Sequence, residues 1–436
     1  MGILLLSSAN KVSGASHEKY IRSKTTNLHK NVEFNTINLH KSVVCDIIYI
    51  NMSIQIKRLQ KIEDHIKSGR VLIIYGPRRV GKTTLLKEYL DTQKDSKIFF
   101  STGDDIKMRE LFDSQDRTKI LNFARDYEII AIDEAQMIKE IGLGIKMIID
   151  EYPDKNIILT GSSSFEIAQN IGEPLTGRHF TLTLLPFSQS EIELGNFELR
   201  NNLEEYLVYG TYPEILKEDS HSMKEKILNE LISSYLFKDI LALDKIKQPE
   251  TLIKVTKALA FQIGNEVSLN EISKLVQADL KTVQRYINIL EKSFILKKVS
   301  AFSRNLRNEI STKAKYYFYD LGVRNAILSQ YNDLSSRNDI GALFENFIFM
   351  ELYKVDNIKE INSNFYFWKT HTGLEVDILK EKNAIIEAFE CKWSDRVSKG
   401  LKVFEQEYTN TKTNIINKDN YLEFITYAFS APQHKS

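Results

Sequence analysis

The most informative segment of the chain is GPRRVGKTT, which comprises Gly76, Pro77, Arg78, Arg79, Val80, Gly81, Lys82, Thr83 and Thr84. Its spacing is that of a Walker A loop, in which glycines let successive backbone N–H groups turn toward phosphate oxygens. Lys82 would reach the β- and γ-phosphates, and the Thr83 hydroxyl would be a ligand of Mg²⁺. The segment predicts a site for ATP with Mg²⁺; a glycine turn ahead of a surface helix is the alternative interpretation.

Apolar runs and helical patterns alternate on both sides of this loop. Five runs predict buried strands: VLIIY (71–75), KIFFS (97–101), IIAID (129–133), NIILTG (156–161) and FTLTL (180–184). Strands separated by helices favour a parallel sheet with right-handed crossovers. The fold class predicted from this pattern is α/β, with a helix from Thr84 to Leu90 directly after the loop.

Polar residues at the strand ends extend the predicted site. Asp133 and Glu134 close the third strand. We assign Asp133 to Mg²⁺ and Glu134 to general base toward water, with two solvated acids as the alternative. The fourth strand ends in Thr160-Gly161-Ser162-Ser163, where a hydroxyl either hydrogen-bonds the γ-phosphate or the attacking water or caps the next helix. Arg178 precedes the fifth strand and either stabilises transition-state charge, in its own or a neighbouring subunit, or forms a structural salt bridge.

Bulk composition excludes several classes of protein. The length of 436 residues predicts about two to four domains, and the net charge of +1 gives no global attraction to nucleic acid. The two cysteines, Cys45 and Cys391, exclude a disulfide framework and fit a reducing cytosol. No apolar run approaches the roughly 20 residues that cross a bilayer. We therefore expect a cytoplasmic protein with no membrane partner.

The amino-terminal segment differs from the rest of the chain. Residues 1–51 are rich in Ser, Asn, Lys and His without sustained periodicity, which predicts a poorly ordered tail. After Met52, isoleucines and a leucine between Ile54 and Ile66 recur at a spacing that predicts an amphipathic helix. Met52 is therefore a candidate natural start, with the preceding residues an upstream extension.

The sequence changes character after Gly195. Residues 200–262 have a helical period, interrupted at Gly210–Pro213. The segment from Leu269 to Val299 reads as helix, turn, helix and strand, the pattern of a helix-turn-helix or winged helix. Between Leu269 and Arg307 eight basic and three acidic residues give a local excess of +5. This excess predicts a DNA-facing surface, while a winged helix used only for packing is the alternative.

Four charged residues in the last third of the chain suggest a second site. Asp377 lies in one apolar strand, and Glu390 and Lys392 lie two apart in the next, so that they share a face. Two carboxylates and a lysine on adjacent strands can bind Mg²⁺ and activate water for phosphodiester hydrolysis. Glu345, in the helical segment GALFENFIFMEL, would add a metal ligand.

The first half of the chain resembles a known family. GPRRVGKTTL, IIAIDEAQ, LTGSSS, LTGRHF with LPFSQSE, and GTYPE follow in the order found in AAA-type ATPases of the archaeal-ATPase group, near the STAND ATPases. The resemblance covers roughly residues 52–245. It implies that Thr160 is a sensor residue and that Gly210 and Pro213 form a nucleotide-proximal turn in a lid. The family usually has two glycines in that turn, and this chain has one.

The second half resembles the PD-(D/E)XK nuclease core and the domain of unknown function, DUF4143, that often follows this type of ATPase. The matching segments include PEILKED, YLFKDIL, YFYDLGVRN and GALFENF, within about residues 200–430. The resemblance places Asp377, Glu390 and Lys392 at the core positions. Lys369 stands where an arginine is usual, which is a mild departure. An active nuclease and a degenerate fold that only binds both remain open.

Together these patterns predict a domain order and a function. The order is a tail (1–51), a P-loop AAA-type ATPase domain (52–195), a helical lid (196–262), a winged helix (263–312) and a nuclease-like α/β domain (313–430). The predicted function is ATP hydrolysis coupled to a nuclease-like, DNA-interacting module. A non-cleaving, nucleotide-dependent switch that binds a protein or DNA is the alternative, and a small-molecule kinase is a weaker one. A homo-oligomer or a protein partner is compatible with both main interpretations.

Overall fold

The computed structural model describes residues 54–162, 174–234, 240, 246, 248–303, 313–394, 399–408 and 410–430. The predicted tail, the candidate start at Met52, and Ser163, Arg304 and Arg307 lie outside these residues. All described elements belong to one unit, Met52–Ser436.

A five-stranded parallel sheet carries the Walker A loop. Its strand order is β2-β3-β4-β1-β5, and its strands are β1 (Val71–Tyr75), β2 (Ile98–Thr102), β3 (Ile129–Asp133), β4 (Asn156–Gly161) and β5 (His179–Thr183). Successive residues of β1 enter opposite cores, with Val71 and Ile73 on one face and Leu72 and Ile74 on the other. Burial on both faces explains the continuous apolar runs, and the predicted α/β sheet is confirmed.

Helices cover both faces of this sheet. They are α1 (Lys82–Thr92), α2 (Ile106–Asp113), α3 (Arg117–Arg125) and α4 (Ile141–Glu151). Asp105 and Asp116 cap α2 and α3 by accepting backbone N–H groups of the first turn. The carboxyl ends of the parallel strands meet at one edge, so the loop after β1 and the acids after β3 lie together there.

The predicted amphipathic helix after Met52 is wrong. The described chain from Ile54 is extended, and Ile56 forms an antiparallel bridge with Ile192. Only Glu63–His65 forms a short 3₁₀ turn. The backbone of this segment forms hydrogen bonds with residues 191–193 instead of within a helix: Lys57 N–H donates to Glu191 O, and Glu193 N–H donates to Gln55 O. Ile54 and Ile56 pack against the core of the carboxy-terminal half, a contact that the local spacing could not reveal.

Helices follow the sheet, as the sequence predicts. They are α5 (Asn196–Asn201), α6 (Leu203–Tyr209), α7 (Pro213–Lys217), α8 (His221–Leu231) and α9 (Pro249–Phe261). Pro213 occupies the first turn of α7, where its missing N–H is harmless. The interruption at 210–213 is therefore a true break between α6 and α7.

A second, seven-stranded sheet dominates the rest of the chain, in the order β12-β11-β10-β9-β7-β8-β6. Its strands are β6 (Val267–Ser268), β7 (Leu296–Ala301), β8 (Lys313–Phe318), β9 (Asn364–Lys369), β10 (Glu375–Lys382), β11 (Ile385–Cys391) and β12 (Thr411–Ile416). Because β7 pairs with both β8 and β9, the predicted domain boundary at 312/313 runs through one sheet.

Within the described ranges, six helices accompany the second sheet. They are α10 (Leu269–Val276), α11 (Leu280–Lys292), α12 (Leu321–Leu328), α13 (Ile340–Ile358), α14 (Lys399–Glu407) and α15 (Tyr421–Ser430). Buried side chains occur around most of α13, including Phe344, Phe347 and Ile348. Helix α13 is therefore an internal element, and its polar residues contact both halves of the molecule.

Candidate functional site

The loop after β1 has a backbone that only glycine permits at one position. Gly76 has a φ of 154°, and a Cβ atom there would lie 1.9 Å from the carbonyl oxygen of Leu184. Gly81 has a φ of 99° and immediately precedes α1. These two glycines shape the loop around the amino end of α1, an arrangement suited to binding phosphate.

Lys82 lies inside this loop. Its ammonium group donates to the carbonyl oxygens of Gly76 at 2.9 Å and Pro77 at 3.0 Å, and the residue is 4% exposed. Burial lowers the pKa of Lys82 to about 8, although Glu134 and Asp133 act to raise it. A phosphate group would add negative charge beside this ammonium and would favour its protonated form.

The residues predicted for Mg²⁺ are connected to each other. The Thr83 hydroxyl donates to Asp133 Oδ2 at 2.7 Å. The Thr160 hydroxyl donates to the other carboxylate oxygen of Asp133 and accepts the backbone N–H of Glu134 at 3.1 Å. A hydroxyl and a carboxylate oxygen are hard donors that suit Mg²⁺. Thr83 and Asp133 thus fit the ion, and Thr160 positions both acidic residues.

Glu134 is held in an unusual conformation. Its backbone lies in the left-handed region, with φ 48° and ψ 43°. Its carboxylate accepts a hydrogen bond of 2.5 Å from Gln136 Nε2, and Gln136 also donates to Ser162 Oγ at 3.2 Å. Gln136 therefore orients the proposed base. The sequence analysis did not single it out, although it lies within the quoted IIAIDEAQ segment.

Two adjoining cavities surround the loop. One, of about 400 Å³, is lined by Arg79, Gly81, Lys82, Thr83, Thr84, Glu134, Pro213, Glu214 and Lys217. The other, of about 750 Å³, lies beside it and includes Ile62, Val80, Leu85, Tyr89 and Phe187. Both contain Gly81, Thr84, Pro213 and Lys217. Lys217, which the sequence analysis missed, brings a cation from α7 to both.

Arg79 connects the loop to the helices that follow the sheet. Its guanidinium contacts Glu230 of α8 at 2.8 Å and Glu214 of α7 at 3.7 Å. Arg78 belongs to the same loop and acts to lower the pKa of Lys82. The loop and helices α7 and α8 therefore share charged contacts beside the smaller cavity.

The turn at Gly210, which is predicted to lie near nucleotide, packs on a buried acid of the carboxy-terminal half. Gly210 has a φ of 77°, and a Cβ there would lie 2.1 Å from Asp320 Oδ1. The N–H of Thr211 donates to Asp320 Oδ2 at 2.7 Å. Gly210 thus packs on the buried carboxylate that caps α12, whereas Pro213 lines both cavities. Burial raises the pKa of Asp320 despite these hydrogen bonds.

Arg178 does not reach the loop of its own chain. It immediately precedes β5, whose first residue, His179, pairs with Val71 at the start of β1. The Walker A loop leaves the other end of β1, about 16 Å away along five residues. The Arg178 guanidinium instead forms an ion pair with Asp150 of α4. The structure thus shows the salt bridge that was the alternative interpretation, and action on a neighbouring subunit stays a prediction.

Arg58 contacts the Walker A loop from the other side. Its guanidinium donates to Val80 O at 2.6 Å and to Leu185 O at 2.8 Å, and it pairs with Glu191 at 3.0 Å. It also stacks on Phe187, 3.7 Å from the ring centroid. One side chain therefore joins the loop to the LPFSQSE segment at 185–191.

Helix α13 binds the same segment from the carboxy-terminal half. Glu351, which is fully buried, accepts Ser188 Oγ at 2.8 Å and the Gln189 N–H at 2.9 Å. Lys354 donates to Phe187 O at 3.0 Å, to Thr211 Oγ1 at 3.1 Å and to Glu351 at 3.1 Å. Hydrogen-bonded side chains thus connect the Walker A loop to α13.

The second predicted site is assembled only in part. Asp377 of β10 and Glu390 of β11 lie on adjacent antiparallel strands, as predicted. However, Asp377 accepts the Cys391 N–H at 2.8 Å, and Glu390 pairs with Lys392 at 2.6 Å. Glu345 of α13 accepts hydrogen bonds from Lys315 at 2.9 Å and Tyr317 at 2.6 Å. Protein donors thus engage all three predicted metal ligands.

The predicted metal ligands of the carboxy-terminal sheet are held by protein partners. Among the described residues, no group of three or more His, Cys, Asp or Glu side chains is arranged to hold a metal ion. Burial raises the pKa of Glu345 to about 7, with Lys315 opposing and Asp377 adding to the rise. Burial also raises the pKa of Asp377, again against Lys315. The role of Asp377, Glu390 and Glu345 as metal ligands stays a prediction.

Exposed basic side chains lie on and beside the helix pair α10–α11. Asp279 caps α11 by accepting the Thr282 N–H at 2.9 Å. The pair is amphipathic, with Ile272, Val283 and Leu290 buried. Five basic side chains of this region are exposed: Lys274, Lys281, Arg285, Lys292 and Lys298. The acids Glu271 and Asp279 are exposed among them, and a DNA-facing surface here stays a prediction.

Three family models match successive segments of the chain. Residues 68–193 match an AAA domain model, residues 200–334 match a domain of unknown function (DUF8612), and residues 340–430 match another (DUF4143). These matches support an AAA-type P-loop domain, and they bear out the DUF4143 resemblance for residues 340–430. The predicted extent of that resemblance, about residues 200–430, was too long, because residues 200–334 match DUF8612 instead. The winged-helix and nuclease-like assignments remain predictions.

Relatives extend over most of the chain. An uncharacterized protein of Methanocaldococcus jannaschii is 25% identical over 389 residues, 84% of each chain. An uncharacterized protein of Haemophilus influenzae is 24% identical over 393 residues, 84% of this chain and 91% of its own. Similarity over most of the chain therefore extends to a protein of an archaeon and a protein of a bacterium.

Similarity to solved structures is low. AMPPCP-bound DnaA from Aquifex aeolicus aligns with 51% of this chain and 81% of its own, at a TM-score of 0.28 and 16% identity. A Drosophila ORC structure bound to DNA aligns with 62% of this chain and 92% of its own, at a TM-score of 0.22 and 13% identity. Such scores carry no argument about function. No helix among the described residues has the length and apolar character needed to span a membrane.

Proposed function

We propose that the chain binds ATP with Mg²⁺ at the loop Gly76–Thr84 and hydrolyses it. The observation that carries this proposal is the convergence of Lys82, Thr83, Asp133 and Thr160 at one edge of the parallel sheet, beside the smaller cavity. Lys82 would bind the β- and γ-phosphate oxygens, and backbone N–H groups of the loop would bind the others. Thr83 and Asp133 would hold Mg²⁺, which neutralises phosphate charge when bound.

Glu134 would act as the general base. A water oxygen attacks the γ-phosphorus while the Glu134 carboxylate accepts a proton from that water, and the bond from the γ-phosphorus to the bridging oxygen breaks to release ADP and phosphate. The Gln136 hydrogen bond orients the carboxylate. Thr160 touches both acidic residues and suits the role of sensor.

The larger cavity is the proposed place of the nucleoside. It adjoins the phosphate loop and is lined partly by apolar side chains, including Ile62 and Tyr89. An apolar, partly enclosed surface suits a planar base. Pro213 and Lys217 of α7 line both cavities. Helix α7 would therefore contact the bound nucleotide, and a shift of α7 on binding would move the helices that follow it.

The nucleotide site is proposed to act on the carboxy-terminal half through α13. Arg58 contacts Val80 O in the loop and Phe187 in the LPFSQSE segment. Glu351 and Lys354 of α13 bind that same segment. A displacement of the loop would therefore be transmitted to a rigid helix, which is a physical route for coupling.

The proposed target of the carboxy-terminal half is DNA, contacted by the basic face of α10 and α11. Exposed lysines and arginines supply phosphate contacts of this kind. The non-cleaving alternative is favoured by one observation, since Asp377 and Glu390 are already bound by protein donors. An assembly of several chains, with Arg178 acting across subunits, is compatible with this proposal.

Nucleotide binding tests the proposal directly. We expect calorimetric titration with ATP and Mg²⁺ to show affinity weakened at least about tenfold by Lys82→Ala, since a buried charge–phosphate contact is lost. Lys87→Ala, an exposed lysine on the same helix, is the matched control and should bind within about twofold of wild type. Equal binding by both variants would contradict the assignment.

Coupling needs a second measurement. In Glu134→Gln, we expect the affinity for duplex DNA to differ at least about threefold between saturating ATP and saturating ADP. Lys281→Glu on α11 should weaken binding in both states, whereas Lys412→Glu on β12 changes net charge equally and should have less effect. Identical affinities in ATP and ADP would rule out coupling to DNA.

A further inference from the structure

A buried lysine lies at the centre of the acidic residues of the second sheet. Lys315 of β8 is 1% exposed. Its ammonium group lies 2.9 Å from Glu345 Oε1 and 2.5 Å from Glu375 Oε1. Asp377 also contributes to the field at this lysine. One cation therefore contacts carboxylates from helix α13 and strand β10 at the same time.

We propose that Lys315 is a built-in cation that takes the place of a divalent metal in this carboxylate cluster, so that the carboxy-terminal domain binds its target without cutting it. The proposal rests on the proposed function in one respect, because it selects the non-cleaving form of the ATP-dependent switch. It extends that function by assigning a role to Lys315.

The first argument is geometric. Two carboxylate oxygens within 3 Å of one nitrogen occupy the space in which a metal ion would gather ligands. An ammonium ion and a divalent ion both seek such oxygens, but the lysine is covalently fixed to β8 and has lost its water on burial. A metal ion that bound these oxygens would have to displace the desolvated ammonium group of Lys315 from both carboxylates.

The second argument concerns the remaining donors. Glu375 also binds Lys369 at 3.2 Å, and Lys369 binds Glu266 at 3.2 Å. Glu345 also accepts the hydroxyl of the fully buried Tyr317. Each acid is thus part of a network that fixes its orientation without a metal. Replacing an ion by protein cations in this way preserves the fold while removing the Lewis acid that phosphodiester hydrolysis uses.

The network also has a mechanical consequence. Glu345 and Glu351 lie on the same helix, less than two turns apart. Glu351 binds the LPFSQSE segment of the ATPase half, and Glu345 binds Lys315 in the second sheet. Lys315 therefore anchors helix α13 to the second sheet, and α13 is the helix that is proposed to couple the nucleotide site to the carboxy-terminal half. Because the cation is a side chain, the contact between Lys315 and Glu345 does not depend on the concentration of free metal ions.

Manganese binding to the nucleotide-free full chain tests the proposal. Free Mn²⁺ is measured by electron paramagnetic resonance for wild type and Asp377→Asn. We expect the affinities to agree within about twofold, because Asp377 holds no metal in the wild-type chain. A wild-type site weakened about tenfold or more by Asp377→Asn would overturn the proposal, as would Mn²⁺-dependent plasmid cleavage lost in that variant.

A gain of function supplies the second arm. Lys315→Met keeps an unbranched apolar stem but removes the cation, and we expect it to acquire an Mn²⁺ site that Lys315→Met/Asp377→Asn lacks. Lys369→Met is the matched control, since Glu375 keeps Lys315 as a partner there, and it should gain no site. A folded Lys315→Met chain without a new site would contradict the proposal. Should that variant fail to fold, the wild-type comparison decides alone.

ATP binding by the same samples separates this proposal from the proposed function. Loss of ATP binding in Lys82→Ala concerns the nucleotide site only. Metal at Asp377 combined with normal ATP binding would overturn the role of Lys315 and leave the ATPase proposal standing. Absence of ATP binding combined with no metal at Asp377 would overturn the ATPase proposal and leave the role of Lys315 standing.

Discussion

Truncation of Glu351 to alanine should destabilise the molecule by about 3 kcal/mol. The carboxylate is fully buried and accepts hydrogen bonds from Ser188, Gln189 and Lys354. Removing one partner of a buried pair costs about 3–5 kcal/mol, because an uncompensated charge stays in the interior. Lys354 keeps two oxygen acceptors, Phe187 O and Thr211 Oγ1, which places the cost at the lower end of that range.

The assay is equilibrium unfolding in urea, followed by circular dichroism. Glu360→Ala is the matched control, because Glu360 pairs with His65 but its side chain is 66% exposed. A change of at most about 0.5 kcal/mol is expected there. The double variant Glu351→Gln/Lys354→Met removes both charges and should recover part of the loss. A loss below about 1 kcal/mol for Glu351→Ala would refute the importance of this buried contact.

Three further predictions concern the nucleotide site. The affinity for ATP should fall as the pH rises through about 8, because the folded-state pKa of Lys82 is lowered to about 8 and the neutral amine binds phosphate less well. Calorimetric titrations of wild type and Lys82→Met from pH 6.5 to about 9.5 would show this fall in the wild type only. The same dependence of ATP affinity on pH in both proteins would contradict the prediction. Gly76→Ala should abolish ATP binding, since its Cβ would lie 1.9 Å from Leu184 O, whereas Gly341→Ala meets open space and should bind normally. Arg178→Ala should leave hydrolysis by the dilute chain within about twofold of wild type; a loss that grows with protein concentration would place Arg178 in a neighbour's site.

The parallel sheet was predictable because both of its faces are buried. Continuous apolar runs such as VLIIY and IIAID have few other uses in a soluble chain. The structure places β1 and β3 on those runs, with Asp133 as the last residue of β3. The spacing of the Walker A loop similarly predicted the start of α1 to within two residues. At these positions the structure follows from residues that are neighbours in the sequence, without a distant partner.

Long-range contacts explain the failures. Ile54 and Ile56 have a helical spacing with their neighbours, but the backbone there pairs with residues 191–193, more than a hundred positions away. Gly210 packs on Asp320, a contact that its place in GTYPE does not indicate, and its role near nucleotide stays a prediction. Arg178 pairs with Asp150 on a helix that its local sequence does not identify. Such partners cannot be read from one sequence.

Lys315 shows a different limit. A lysine in the strand KAKYYF looks like a solvent-facing residue of an edge strand. Only the register, with β8 between β7 and β6 and α13 packed against it, places this side chain in the interior. The available signal was the apolar and aromatic run after it, which indicates a buried strand. Three separate acids had to be brought together before the role of the lysine could be inferred.

The rate of Mg²⁺-dependent ATP hydrolysis tests the central claim most directly. The account predicts that the wild-type chain releases phosphate, and that Glu134→Gln still binds ATP but lowers kcat about 100-fold or more, since the general base is lost while Lys82 and Thr83 remain. Gln136→Ala, which loses only the orienting hydrogen bond, should show a smaller decrease. Hydrolysis by Glu134→Gln at the wild-type rate, or no hydrolysis by a wild-type chain that binds ATP with Mg²⁺, would contradict the account.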